Sequence, residues 1–145
     1  METIQHSHYL PRAAFKGRGL SEIKSRLVRN IRAAGRDFGF IAVRGTSGML
    51  VGPLVTAALN SNLIVVRKPR DSDNSLTNTE GLPCHGDHKY IILDEFISSG
   101  KTVEAIRESL QPHRCVGVFL YSCWSECTNI AARRKWDFTV FPCGR

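Results

Sequence analysis

Two rhythms of apolar and polar positions alternate along the chain. From Leu20 the apolar residues recur at Ile23, Leu27, Ile31 and Ala34, the three-to-four spacing of an amphipathic helix, with Ser21 suited to cap its start and Gly35 its end. The opposite side of that helix carries Lys24, Arg26, Arg29 and Arg32. Residues 38–43 form a short, mostly apolar run that reads as a buried strand, and they feed Arg44-Gly45-Thr46-Ser47-Gly48, a small-residue turn, then a second apolar stretch over 49–59 that reads as a helix. Pro53 fits that helix only near its start, where a missing N–H costs nothing. Further strands are predicted at 63–66, 90–93, 115–121 and 138–141, and further helices at 102–110 and, more weakly, 126–134. Residues 71–81 are polar and unpatterned, a long loop of the kind that is functional or mobile.

Near-continuous apolar strands separated by helices predict an α/β fold: a doubly wound, mainly parallel sheet with helices on both faces. At 145 residues the chain is expected to be one domain, residues 1–145, with a basic N-terminal helix or small hood over 1–36 and an α/β core over 37–145. With 42% hydrophobic and 23% charged residues, the composition is that of a globular protein and sets aside disordered and collagen-like classes. No apolar run reaches a membrane-spanning length, no signal peptide is visible, and five cysteines without a CxxC pair argue against a disulfide framework, so the expected setting is cytoplasmic with reduced thiols and no membrane partner. The formal charge of +7 is uneven: residues 1–35 hold seven basic side chains against Glu2 and Glu22. Such a surplus suits a phosphorylated substrate or a polyanion, or only a solvated face.

Candidate chemistry concentrates in residues 90–102, YIILDEFISSGKT, a strand ending in an acidic pair and followed by a tight turn that opens a helix. Ligands of open α/β sheets bind beyond the carboxyl ends of the strands. Ser98, Ser99, Gly100, Lys101 and Thr102 offer backbone N–H groups, hydroxyls and a helix N-terminus, which together suit a phosphate dianion. Asp94 and Glu95 are repelled by that dianion, so they suit the hydroxyls of a sugar or a hydrated Mg²⁺. The implied ligand is a phosphorylated sugar. A nucleotide-binding GxxxxGK[ST] loop is the rival reading of Gly100-Lys101-Thr102, but it needs a glycine where Glu95 stands.

Residues 94–102 with the preceding Ile91-Ile92-Leu93 resemble the phosphoribosyl pyrophosphate (PRPP) signature of the type I phosphoribosyltransferases. The resemblance extends to the strand at 38–43 with Arg44 to Gly48, similar to that family's pyrophosphate loop, and to Val66-Arg67-Lys68, similar to the basic end of its next strand. It implies a PRPP-dependent transferase in which Asp94 and Glu95 contact the ribose hydroxyls, Ser98 to Thr102 together with Ile97 form the 5-phosphate loop, Arg44, Gly45, Thr46, Ser47 and Gly48 hold the pyrophosphate, and Lys68 reaches toward it. Mg²⁺ is the implied cofactor, with Asp94 and Glu95 near it; the implied partners are PRPP and a nitrogenous base, and a homodimer is compatible with the family. By the same resemblance, residues 71–81 would be the loop that closes over the site. An Asp usually stands at the position of Ser98 in the family's 6-oxopurine enzymes, and Tyr121-Ser122-Cys123-Trp124 lacks the Lys they place on the base, so the acceptor base stays open; Tyr121 and Trp124 are candidates to stack on it or to pack at the rim.

Cys84, His85 and His88 put three possible metal ligands in five residues, at a spacing that fits no zinc finger, and His85 or His88 is a further candidate for pyrophosphate contact. Two function classes follow. The first is the transferase; the second is a regulator or nucleic-acid binder that keeps the PRPP pocket without transfer and uses the basic 21–34 helix as its contact surface. An intact phosphate loop with Arg44 and Lys68 favours the first.

Overall fold

The structure is a computed structural model, and it describes residues 16–68, 78–81, 88–122 and 129–143. Its elements in chain order are α1 (Gly17–Ala34), β1 (Phe40–Val43), α2 (Gly45–Leu59), β2 (Leu63–Val66), β3 (Thr79–Glu80), β4 (Lys89–Asp94), α3 (Lys101–Ser109), β5 (Arg114–Leu120), α4 (Asn129–Arg133) and β6 (Thr139–Pro142). The six strands make one sheet in the order β3-β2-β1-β4-β5-β6, parallel throughout except for the antiparallel β2–β3 pair. The expected doubly wound sheet is therefore present, and its winding reverses between β1 and β4. At that switch point the carboxyl ends of two adjacent strands diverge into loops on opposite faces and leave a crevice.

Both faces are covered. Ile23, Leu27, Val28 and Ile31 of α1 join Val51 and Val55 of α2 over Ile41, Val43, Ile91, Leu93 and Phe119, while Val103 and Ile106 of α3 and Ile130 of α4 cover Phe40, Tyr90, Ile92, Val118 and Val140. Successive strand residues point to opposite faces, so the central strands need apolar side chains at every position. All four residues of β1 and the last five of β4 are buried. The described part of the 1–36 segment is thus one of the helical layers of this core.

Several local expectations are corrected. α1 begins at Gly17, one turn before Ser21, with an extended Lys16 at its N-cap and no side-chain cap; Arg18 and Glu22, four apart, pair at 3.4 Å across the added turn. Gly35 ends it as expected, in the left-handed region at φ 62°. The four cations do not form one exposed face: Arg29 and Arg32 are exposed, whereas Lys24 and Arg26 are half-buried. α2 begins directly after β1, so residues 45–48 are its first turn and not a separate loop, and Pro53 lies in mid-helix. Pro53 and Met49, the residue whose carbonyl it leaves without a helical donor, share the exposed side. The far end of the expected 71–81 loop holds β3, too short to leave a periodicity; residues 71–77 lie outside the described residues.

Gly48 and Gly52 bring α2 close to the sheet. A Cβ on Gly48 would stand 2.7 Å from the Val43 Cβ, an atom fixed to the backbone of a central strand. Gly48→Ala is therefore expected to destabilise the protein by about 1–3 kcal/mol despite the better helix propensity of alanine. Urea unfolding checks it: a lower midpoint at an unchanged slope is expected.

Candidate functional site

β1 and β4 end side by side at the switch point, and each delivers a polar group to the same place. Asp94, the last residue of β4, is buried, and its Oδ1 accepts from Ser47 Oγ at 2.8 Å and from the Glu95 backbone N–H at 2.8 Å. The first turn of α2 is thereby fastened to the end of β4. Tyr121, at the end of β5, adds a second tie by donating from its hydroxyl to the Ser47 carbonyl at 2.8 Å. Tyr121 is buried, so of the two roles open to it, it takes the packing one; Trp124 lies outside the described residues.

These residues form one wall of a cavity of about 540 Å³ lined by Thr46, Ser47, Lys68, Asp94, Glu95 and all of residues 96–103. The 98–102 loop belongs to the same lining. Gly100 occupies the left-handed region at φ 85° and caps α3, whose first residues line the cavity. Ser99 Oγ accepts from the Lys101 N–H at 3.3 Å, and Ile97 is buried beneath and holds the loop to the core. Across the cavity the Lys68 ammonium lies beside the start of α2, where a Cβ on Gly45 would be 3.2 Å from Nζ. Gly45 itself has φ 75°, so a side chain there would be strained as well as crowded.

Of the residues expected from the sequence, Thr46, Ser47, Lys68, Asp94, Glu95, Ile97, Ser98, Ser99, Gly100, Lys101 and Thr102 come together in this cavity. Arg44, Gly45 and Gly48 are not among its lining. Arg44 is the N-cap of α2, its Nε buried without a hydrogen-bond partner; Gly45 borders Lys68; Gly48 faces the sheet. His88 is not near the site. It precedes β4, at the amino end of the strand, where its backbone N–H donates to His113 Nδ1 at 3.1 Å. Residues 84–87 lie outside the described residues, and among the described residues no three His, Cys, Asp or Glu side chains gather as a metal site.

The acidic pair is electrostatically loaded. Burial, then the charge of Asp94, pushes the Glu95 carboxyl up to about 7, and one of its oxygens, Oε1, is buried without a partner. Burial also raises Asp94, against the opposing hydrogen bonds from Ser47 and Glu95 and the charge of Lys68. A carboxyl whose folded pKa is raised holds its proton in the folded chain at a pH where the unfolded chain has lost it. Stability is therefore expected to be full below pH 4.5, the ordinary value for Glu, and to decline as pH rises through about 7. The thermal midpoint of the ligand-free protein should be higher at pH 5.5 than at pH 8, and Glu95→Gln should remove much of the difference.

No family model matches the chain, and no curated protein matches it in sequence. Solved structures do match in three dimensions. The orotate phosphoribosyltransferase of Francisella tularensis superposes with a TM-score of 0.72 at 12% identity, covering 90% of this chain and 68% of that one. The orotate phosphoribosyltransferase of Aeropyrum pernix gives 0.72 at 16% identity over 91% and 74% of the two chains. The adenine phosphoribosyltransferase of Saccharomyces cerevisiae, in complex with adenine, gives 0.69 at 17% identity over 88% and 80%. The chain has the type I phosphoribosyltransferase fold. Within that fold, the cavity lies where the sheet reverses its winding, and the acidic pair and hydroxyl-rich loop read from the sequence line it together.

Two ties behind the cavity wall were not expected from the sequence. Arg134 Nε donates to the Ser99 carbonyl at 2.9 Å, and the Trp136 indole N–H donates to Glu104 in the first turn of α3. Both come from the turn after α4, more than 30 residues beyond the groups they bond, and no local spacing links them.

Proposed function

We propose that this protein transfers the 5-phosphoribosyl group of PRPP to a nitrogenous base. The C1–O bond to pyrophosphate breaks, a C1–N bond forms, and the base nitrogen gives up its proton. The observation that carries the reading is the single cavity lined by the Asp94–Glu95 pair, tied to Ser47, by the 98–102 loop and by Lys68. The likeness to orotate and adenine phosphoribosyltransferases supports the same class of chemistry and leaves the acceptor open.

Each group has a physical task. The N–H groups of Ser99, Gly100 and Thr102 at the N-terminus of α3 bind the 5-phosphate, and the carboxylates of Asp94 and Glu95 accept from the ribose hydroxyls. Thr46, Ser47 and Lys68 meet the pyrophosphate as negative charge gathers on it, which is where preorganised donors lower a barrier most. The unpartnered, buried Glu95 Oε1 and the adjacent Asp94 are hard oxygen donors that fit Mg²⁺ held through water or through the ribose. Mg²⁺, when bound, supplies charge neutralisation at the pyrophosphate. Catalysis of this kind is positioning and electrostatics and needs no nucleophilic side chain.

The test is pyrophosphate release from PRPP and Mg²⁺ across a panel of purine and pyrimidine bases. Release with one base or one class supports the reading. PRPP binding with no release from any base supports the regulator instead, and absence of PRPP binding overturns both.

A further inference from the structure

The turn after α4 is held from several sides. Lys135 has φ 55°, a left-handed conformation uncommon for lysine, and around it the Lys135 N–H donates to Ala132 O at 3.2 Å and the Trp136 N–H to Ala131 O at 3.0 Å. The Trp136 indole is bonded to Glu104 and stacks on Phe138 with centroids 5.1 Å apart. Arg134 thus leaves a fixed point, and its Nε reaches the Ser99 carbonyl at 2.9 Å. A Cβ on Gly100 would stand 2.8 Å from that Nε and 3.2 Å from Trp136 Cζ2, so glycine is what lets the guanidinium lie against the loop.

A trans peptide is planar, and its C=O and N–H point in opposite directions. With the Ser99 carbonyl turned to Arg134, which is not part of the cavity lining, the N–H of Gly100 points away from Arg134, and Gly100 itself lines the cavity. A cationic donor on the carbonyl also polarises the peptide and strengthens its N–H as a donor. We propose that Arg134 is a positioning residue for a phosphate monoester: it aims the Gly100 amide at the phosphate without touching it. This rests on the assignment of the 98–102 loop to the sugar 5-phosphate.

Side-chain geometry supplies a clean pair of variants. In Arg134→Gln the amide nitrogen occupies the place of Nε, one bond beyond Cδ, and keeps the donor; in Arg134→Met the terminal methyl occupies it and the donor is lost. Both variants lack the charge. Ribose 5-phosphate, which reaches the loop, and inorganic pyrophosphate, which reaches the Lys68 end, are titrated separately by calorimetry. Arg134→Met should weaken ribose 5-phosphate about tenfold, the effect of one hydrogen bond to a charged group, with Arg134→Gln recovering most of the loss and pyrophosphate unchanged in both. Equal weakening by Gln and Met, no weakening by Met, or parallel loss of pyrophosphate overturns the proposal. In the wild type, followed by NMR, ribose 5-phosphate should move the Gly100 amide proton downfield; an unmoved resonance overturns the proposal whether or not the variants fold. The two readings separate cleanly: the Gln–Met difference without pyrophosphate release from PRPP supports this role and overturns the transferase, release without the difference does the reverse, and a wild type that binds no ribose 5-phosphate overturns both.

Discussion

Asp94→Asn combined with Glu95→Gln is expected to lower PRPP affinity by at least about a hundredfold while leaving the folded protein as stable as before, or more so. The two halves of that result have different causes. Hydrogen bonds from ribose hydroxyls to a carboxylate contribute about 1.5 to 3 kcal/mol each, and both substitutions keep the shape but remove the charge that strengthens them and that attracts Mg²⁺. The structural hydrogen bonds survive, because the side-chain amide introduced by Asp94→Asn keeps an oxygen that accepts from Ser47 Oγ and from the backbone N–H of the next residue. The electrostatic strain does not survive: Glu95 is held up at about 7 by burial and by Asp94, so its neutral replacement removes a destabilising charge at pH 8. Calorimetry with PRPP and Mg²⁺, alongside thermal unfolding at pH 8, reads both. Unchanged affinity would remove the carboxylates from the site, and a large fall in the midpoint would show them to be structural.

How far the sequence discloses this site depends on how local each cause is. The strands were legible because a doubly covered strand must be apolar at every position, and 38–43, 63–66 and 90–93 are nearly so throughout. The acidic pair and the 98–102 loop were legible because strand, carboxylates, turn and helix follow one another within thirteen residues. α2 was partly obscured, since Gly45, Thr46 and Ser47 are poor helix formers that favour turns, and the helix packs on strands through glycines and carries apolar residues even on its exposed side, as at Met49 and Leu54. The basic side of α1 was overread: the periodicity placed the apolar stripe correctly but could not tell that Lys24 and Arg26 flank it closely enough to be half covered. The ties from Tyr121 to Ser47 and from Arg134 to Ser99 join residues 74 and 35 positions apart, and only the folded chain brings them together.

Lys68→Met should separate function from stability more sharply than any other single change. The ammonium lies beside Gly45 at the N-terminus of α2, where the helix dipole already presents positive potential, and within the field of Asp94. Repulsion from the first and attraction to the second oppose each other at an exposed side chain, so the net change in stability is expected to stay within about 0.5 kcal/mol. The balance changes once a pyrophosphate group enters. Lysine and the α2 N-terminus then act together on an anion whose charge grows as the C1–O bond breaks, and loss of one such donor typically lowers the rate by about 10² to 10³. Turnover of PRPP should therefore fall by that factor, and pyrophosphate binding should weaken, while ribose 5-phosphate, held at the 98–102 loop, binds as in the wild type. Stopped-flow or coupled pyrophosphate assays with the accepting base would show it. A Lys68→Met variant that turns over PRPP at the wild-type rate would mean that this end of the cavity does not hold the leaving group.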